Sequence, residues 1–137
     1  IDTDIFIEAQ NNISIKDIFT SFGEDHFRQL EKQAIDQLRD ISDSVIAVGG
    51  GAVMYHNNLE TLKGVGITIF LDAPNDKILR NLKGKFRPLV GNTIDEEKLY
   101  ELLNYRYPTY QKAVVILNTE NLNIDQTVDE IKSRLGL

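Results

Sequence analysis

The sequence predicts an α/β domain built on a parallel sheet with helices on both faces. Three observations carry that expectation. Short, β-branched runs, apolar but for Thr68, occur at residues 45–48, 67–71 and 114–117. Amphipathic stretches with apolar residues at helical spacing lie around and between them. Glycine or proline marks most points where one pattern gives way to the other. Strands buried on both faces read as continuous apolar runs, and their alternation with helices indicates parallel pairing.

The elements follow in order. Ser14 is placed to cap a helix, with Asp17 three residues on, Ile13 able to staple onto Ile18, and Gly23 as its stop. Phe27, Leu30, Ala34, Ile35 and Leu38 then recur at helical spacing and predict a second helix to about Asp40. Residues 45–48 read as a buried strand that runs into Gly49-Gly50-Gly51, and residues 67–71 as a second. A helix from about Pro74 to Leu82 follows, since proline is tolerated in a first turn. Lys83 to Asn92 is polar and glycine-punctuated, and is expected to be a mobile loop. Thr93 with Glu96 has the pattern of a capping box, opening a helix to about Tyr107 that Pro108 closes. Residues 114–117 form the third buried strand. A last helix covers residues 125–135, with Val128, Ile131 and Leu135 facing inward.

Bulk properties narrow the function. A length of 137 residues with 42% hydrophobic content suits one soluble domain with one core. No apolar run approaches the roughly 18 residues that span a bilayer, and no leader pattern opens the chain, so a cytoplasmic protein is expected. The absence of cysteine excludes disulfides, thiolate metal sites and thiol catalysis. A formal charge of −6 argues against a duplex nucleic-acid binder, whose affinity rests on a basic face. His26 and His56 stand far apart without ligand-like spacing, as surface or capping residues do.

Ligands of such sheets bind beyond the carboxyl ends of strands, which directs attention to three groups of residues. Asp2 and Asp4 either divide a task, one holding hydrated Mg²⁺ and the other accepting from a substrate hydroxyl, or simply cap a turn or helix. Gly49, Gly50 and Gly51 permit backbone angles closed to other residues and let a ligand approach main-chain N–H groups; the plain alternative is a slack turn. Arg28, Arg87 and Arg106 suit bidentate recognition of a carboxylate or phosphate, against the alternative of surface ion pairs worth about 0–1 kcal/mol each. Glu31, one helical turn from Arg28, can hold that arginine in place. Met54, Tyr105, Tyr107 and Tyr110 read as core or helix-end packing.

In order and spacing these features resemble shikimate kinase. The resemblance is carried by Asp2-Thr3-Asp4 with Ile7-Glu8; Ser14-Ile15 with Ile18-Phe19; Gly23-Glu24 with Phe27-Arg28 and Glu31; Gly49-Gly50-Gly51-Ala52-Val53; Arg87-Pro88-Leu89; and Arg106 with Pro108 and Tyr110. It implies a three-layer P-loop kinase fold with strand order 2-3-1-4-5, and transfer of the γ-phosphoryl of ATP to the 3-hydroxyl of shikimate, a step of aromatic amino-acid biosynthesis. It further implies that Asp4 holds the acceptor hydroxyls and favours the attacking oxygen. Arg28 and Arg106 clamp the shikimate carboxylate, while Gly49, Gly50 and Gly51 line the substrate. Phe19 and Phe27 form the pocket wall and Glu31 braces it. Asp2 assists Mg²⁺ through water, Arg87 reaches the phosphates from a lid at about 83–93, and Arg80 stacks on adenine. The acceptor region spans about 4–52 of a single domain, residues 1–137, acting as a monomer with shikimate and ATP as its partners.

Two departures stand beside the match. The sequence contains no G-x-x-x-x-G-K-[ST] phosphate loop. The first, central strand and that loop are therefore expected in some 30 residues upstream, about the length of a βα unit, and the chain on its own is expected to be inactive. Residues 118–123, on the adenine side, carry no basic group. Two other readings are a related kinase with a gluconate-like acceptor and a non-catalytic ligand-binding remnant. The arginine pair disfavours the first; Asp2 together with a lid arginine disfavours the second.

Overall fold

A computed structural model describes residues 1–83 and 94–137, in two compact units, Ile1–Ile67 and Thr68–Leu137. Among the described residues no helix is long and apolar enough to cross a membrane.

In the first unit, α1 (Thr3–Asn11) starts where the Asp2 carboxylate accepts from the N–H groups of Asp4 and Ile5, and stops at Asn12, in the left-handed region (φ 52°). The next helix, α2, spans Ile15–Gln37 and is broken at Gly23 (φ 83°, ψ 175°), a conformation that a side chain disfavours. The expected stop at Gly23 is therefore a sharp break between two helical segments. Ser14 caps the first segment, accepting from the Asp17 N–H at 3.1 Å, and Ile13 packs onto the core beneath it. A 3-10 turn, Leu38–Asp40, ends the second. Ile7, Ile18, Phe27 and Ala34 form one buried cluster; Ile35, Ala52 and Leu62 form another. After the glycines come a 3-10 turn, Ala52–Met54, and α3 (Asn58–Val65). Neither α1 nor α3 was anticipated from the sequence. Both are short helices whose apolar residues sit among polar ones without a long periodic run.

Residues 45–48 depart from the expected buried strand. Their pairing is a single parallel bridge, Asp2 to Ala47, closed by Thr3 N–H to Ala47 O (3.0 Å) and Ala47 N–H to Ile1 O (2.8 Å). Val45 is 86% exposed and Val48 37%. One rung fixes the backbone but covers neither face.

In the second unit, β1 (Ile69–Asp72) and β2 (Val115–Asn118) pair in parallel, Ile69 opposite Val115 through Asp72 opposite Asn118. The crossover between them contains α4 (Asn75–Leu82) and α5 (Glu96–Tyr110), as parallel neighbours require. Full burial of these strands does not hold: only Leu117 is buried, while Leu71 and Ile116 are exposed. A two-stranded ladder has open edges and a partly open face. α5 begins at Asp95, whose carboxylate accepts from the Lys98 N–H, in place of the Thr93 cap, and Thr93 lies outside the described residues. It also runs through Pro108 to Tyr110, because a proline near the last turn removes one hydrogen bond without blocking the Gln111 N–H to Tyr107 O bond (3.0 Å). The final helix, α6 (Ile124–Leu135), opens with a reciprocal Asn123–Gln126 capping box and ends at Gly136 (φ 72°). Ile131 and Leu135 are half-buried, but Val128 is 42% exposed.

The packing predicts two stability effects. Ile18→Ala, at a fully buried site, should lower unfolding free energy by about 2–5 kcal/mol. Ser14→Ala should cost about 1 kcal/mol. Urea unfolding followed by circular dichroism measures both.

Candidate active site

The first unit gathers most of the expected acceptor residues around Arg28. The guanidinium is buried, with 6% of its side chain exposed, and is held from two directions along its own helix. Nη1 donates to Glu31 Oε2 at 2.8 Å, and Nε and Nη2 donate to Glu24 Oε1 at 3.3 and 3.1 Å. These are i+3 and i−4 neighbours, so helical geometry supplies both partners. Burial by itself would depress the Arg28 pKa; hydrogen bonding and charge from Glu31, then Glu24, outweigh it and hold the pKa above its ordinary value. The placement differs from a solvated ion pair, since Glu31 is 1% exposed.

Asp4 and Gly49 complete this cluster. A Cβ built on Gly49 would lie 3.5 Å from Glu31 Oε1 and 3.8 Å from Asp4 Oδ1. The glycine turn thus comes close to both carboxylates. Unusual backbone angles do not explain it: Gly51 has φ −84°, and the described glycines at positive φ are Gly23 and Gly136. Closeness to the carboxylates is the feature that matters at Gly49. Gly50 follows it at the surface, and Gly51 is buried at the start of the 3-10 turn.

Phe27 belongs to the core, 5% exposed, with Phe19 against it at 4.7 Å between centroids. The Asp2 Oδ1 is committed to capping α1. Among the described residues no three His, Cys, Asp or Glu side chains cluster as a metal cage.

In the second unit Arg106 is half-buried on α5. Arg80 donates to Asp76 at 2.7 Å on the exposed face of α4, and hydrogen bonding to Arg80 holds the Asp76 carboxyl below its usual range. Beyond the ends of β1 and β2, Asp72, Ala73, Pro74, Asn118 and Glu120 line a small cavity. Tyr107 and Tyr110 pack on Phe70, as expected of helix-end packing, whereas Tyr105 is 72% exposed. Tyr107 also donates to Asp72 Oδ2 at 3.0 Å, which with the Asp72 charge raises its pKa. Arg87 and all of the expected lid except Lys83 lie outside the described residues.

Two neighbours of Arg28 were missed in the sequence. Glu24 has a signal, its i−4 spacing. Tyr55, whose ring centroid is 4.5 Å from the Arg28 guanidinium carbon, has none, since 27 residues separate the pair.

Frame and charges together describe an α/β protein with a buried arginine–carboxylate cluster in its first unit. Comparison with known proteins makes this specific. The sequence model of the shikimate kinase family matches residues 1–136. A shikimate kinase of Thermoanaerobacter pseudethanolicus is 39% identical over 132 residues, covering 96% of this chain and 77% of that protein. One from Clostridium botulinum (strain Alaska E43 / Type E3) is 38% identical, covering 96% and 78%. Among solved structures, shikimate kinase from Acinetobacter baumannii in complex with shikimate superposes with a TM-score of 0.88 at 31% identity, over 98% of this chain and 77% of that one. The enzyme from Bacteroides thetaiotaomicron gives 0.86 at 29%, over 100% and 83%. The chain belongs to the shikimate kinase family, phosphotransferases that use ATP.

Glu31→Ala leaves Arg28 buried without its closest partner and should cost about 3–5 kcal/mol. Glu24→Ala, at a partner 34% exposed, should cost much less; urea unfolding separates them. Asp72→Asn removes the charge that disfavours the Tyr107 phenolate, so Tyr107 should titrate at lower pH, as read by NMR of ¹³C-labelled tyrosine.

Proposed function

We propose that this protein transfers the γ-phosphoryl of ATP to the 3-hydroxyl of shikimate, in the cytoplasm and as a monomer. The observation that supports this reading best is the buried Arg28 guanidinium, hydrogen-bonded to Glu24 and Glu31 beside Asp4 and the Gly49 turn. A carboxylate suits the remaining N–H groups of such a fixed fork. Asp4 accepts from the acceptor hydroxyls and favours the oxygen that attacks phosphorus. As the bond to phosphorus forms, the bond to the bridging oxygen of ADP breaks and the hydroxyl proton leaves by way of Asp4 or water. Gly49, Gly50 and Gly51 line the acceptor and offer main-chain N–H groups, with Phe19 and Phe27 as apolar wall and Glu31 as brace.

The part given to Arg106 is the one the family resemblance implies. Arg28 already faces two carboxylates, and Asp4 adds a third, so the cluster is acidic before any substrate arrives. By that resemblance, Arg106 is the second cation for an anionic acceptor. Arg87 approaches the transferring group from the lid, Arg80 exchanges its exposed Asp76 partner for adenine, and Mg²⁺, when bound, spreads phosphate charge with Asp2 reaching it through water.

Arg106→Ala in the full-length protein should weaken shikimate binding by roughly 10–100-fold, the worth of a charged hydrogen bond, and leave ATP binding nearly intact; calorimetry with each ligand reads this. An unchanged shikimate affinity refutes the clamp. Arg87→Ala should lower kcat more than it raises the KM for shikimate in a coupled ADP-release assay.

A further inference from the structure

Two contacts of the Tyr55 side chain reach the charged groups of the acceptor site. Its ring covers the Arg28 guanidinium at 4.5 Å from the centroid, and the Phe27 ring lies 5.2 Å from the same carbon. Its hydroxyl donates to Glu24 Oε1 at 3.3 Å, the oxygen that already accepts from Arg28 Nε and Nη2. In-plane bonds to Glu24 and Glu31 stop the guanidinium from sliding. They resist tilting only weakly, because a hydrogen bond tolerates tens of degrees of bend. An aromatic face against the guanidinium opposes tilting, and the cation–π attraction favours the stacked geometry.

The backbone that carries Tyr55 is itself fixed. Asn58, fully buried, donates from Nδ2 to Ala52 O at 2.9 Å, and its N–H donates to Tyr55 O at 3.0 Å. Between them His56 and Asn57 both sit in the left-handed region, φ 53° and 59°, which the closed turn imposes. Tyr55 is thereby tied to the turn that begins at Gly51, on the same segment as Gly49.

We infer that Tyr55 is a positioning residue for the acceptor: it sets the plane of the Arg28 guanidinium, and through it the affinity for the planar carboxylate of the substrate. Arg28 has five N–H donors, of which three are engaged by Glu24 and Glu31. Among the described residues, one N–H on each terminal nitrogen is left for a ligand, and a two-point contact to a carboxylate depends on that plane. The inference rests on the acceptor reading proposed above.

The test measures shikimate binding by calorimetry and steady-state kinetics on the full-length protein. Tyr55→Leu should weaken shikimate binding and raise its KM roughly tenfold, with kcat and the KM for ATP nearly unchanged, while Tyr55→Trp, which keeps an aromatic face, restores most of the affinity. A loss of kcat and affinity together, or equal losses in Leu and Trp, overturns the inference. Should Tyr55→Leu fail to fold, Tyr55→Phe and Glu24→Gln carry the test. Each should weaken binding alone, and the double variant should be no weaker than Glu24→Gln; multiplying effects overturn the link through Glu24. Arg28→Lys tells the two readings apart. If it leaves shikimate affinity intact, the acceptor site itself is wrong. If it weakens binding and Tyr55→Leu does not, only the role of Tyr55 falls.

Discussion

The first unit is organised around one buried cation. Taking a guanidinium out of water is costly unless its hydrogen bonds and charge are answered inside the protein. Here the two carboxylates come from the same helix, and the Tyr55 ring is added by tertiary folding. The break at Gly23 lets the segment bearing Glu24, Arg28 and Glu31 start afresh at its own angle. Phe27, next to Arg28 in sequence, sits in the apolar cluster with its ring 5.2 Å from the guanidinium carbon. A charged site and a core thus share one helix, and each limits how far the other can shift.

The second constraint is the single rung between the chain's first residues and Ala47. It ties the start of α1 to the segment leading into the glycines. Asp2 both flanks that rung and caps the helix, which sets where Asp4 stands. Backbone pairing thus helps to bring Asp4 and Gly49 close together. The plain reading of Asp2 as a helix cap and the reading of Asp4 as a site residue both fit this geometry, because the two carboxylates have different local duties.

Much of this was legible in the sequence where the signal is local. The Ser14 cap, the Gly23 break, the 27–38 periodicity and the Arg28–Glu31 spacing all depend on neighbours within a few residues. The α/β class and parallel pairing were legible from apolar runs alternating with helices. Burial of those runs was not, since exposure at Val45, Leu71 or Ile116 depends on which strands lie alongside. The start of α5 was misplaced because Asp95 caps as well as threonine does, and its end because one proline near a terminus costs only one hydrogen bond. The contact between Tyr55 and Arg28 was illegible, being a product of tertiary folding.

The loop after β2 illustrates how a segment can be held without leaving a trace in its own composition. The Lys77 ammonium donates to the backbone carbonyls of Thr119, Glu120 and Leu122. Carbonyls are common to every amino acid, so this clasp is indifferent to which side chains decorate residues 119–122. Exposed Glu120 and Asn121 can diverge in charge and size without loosening that path, whereas Thr119, buried and donating its hydroxyl to Asp72 O at 2.9 Å, cannot.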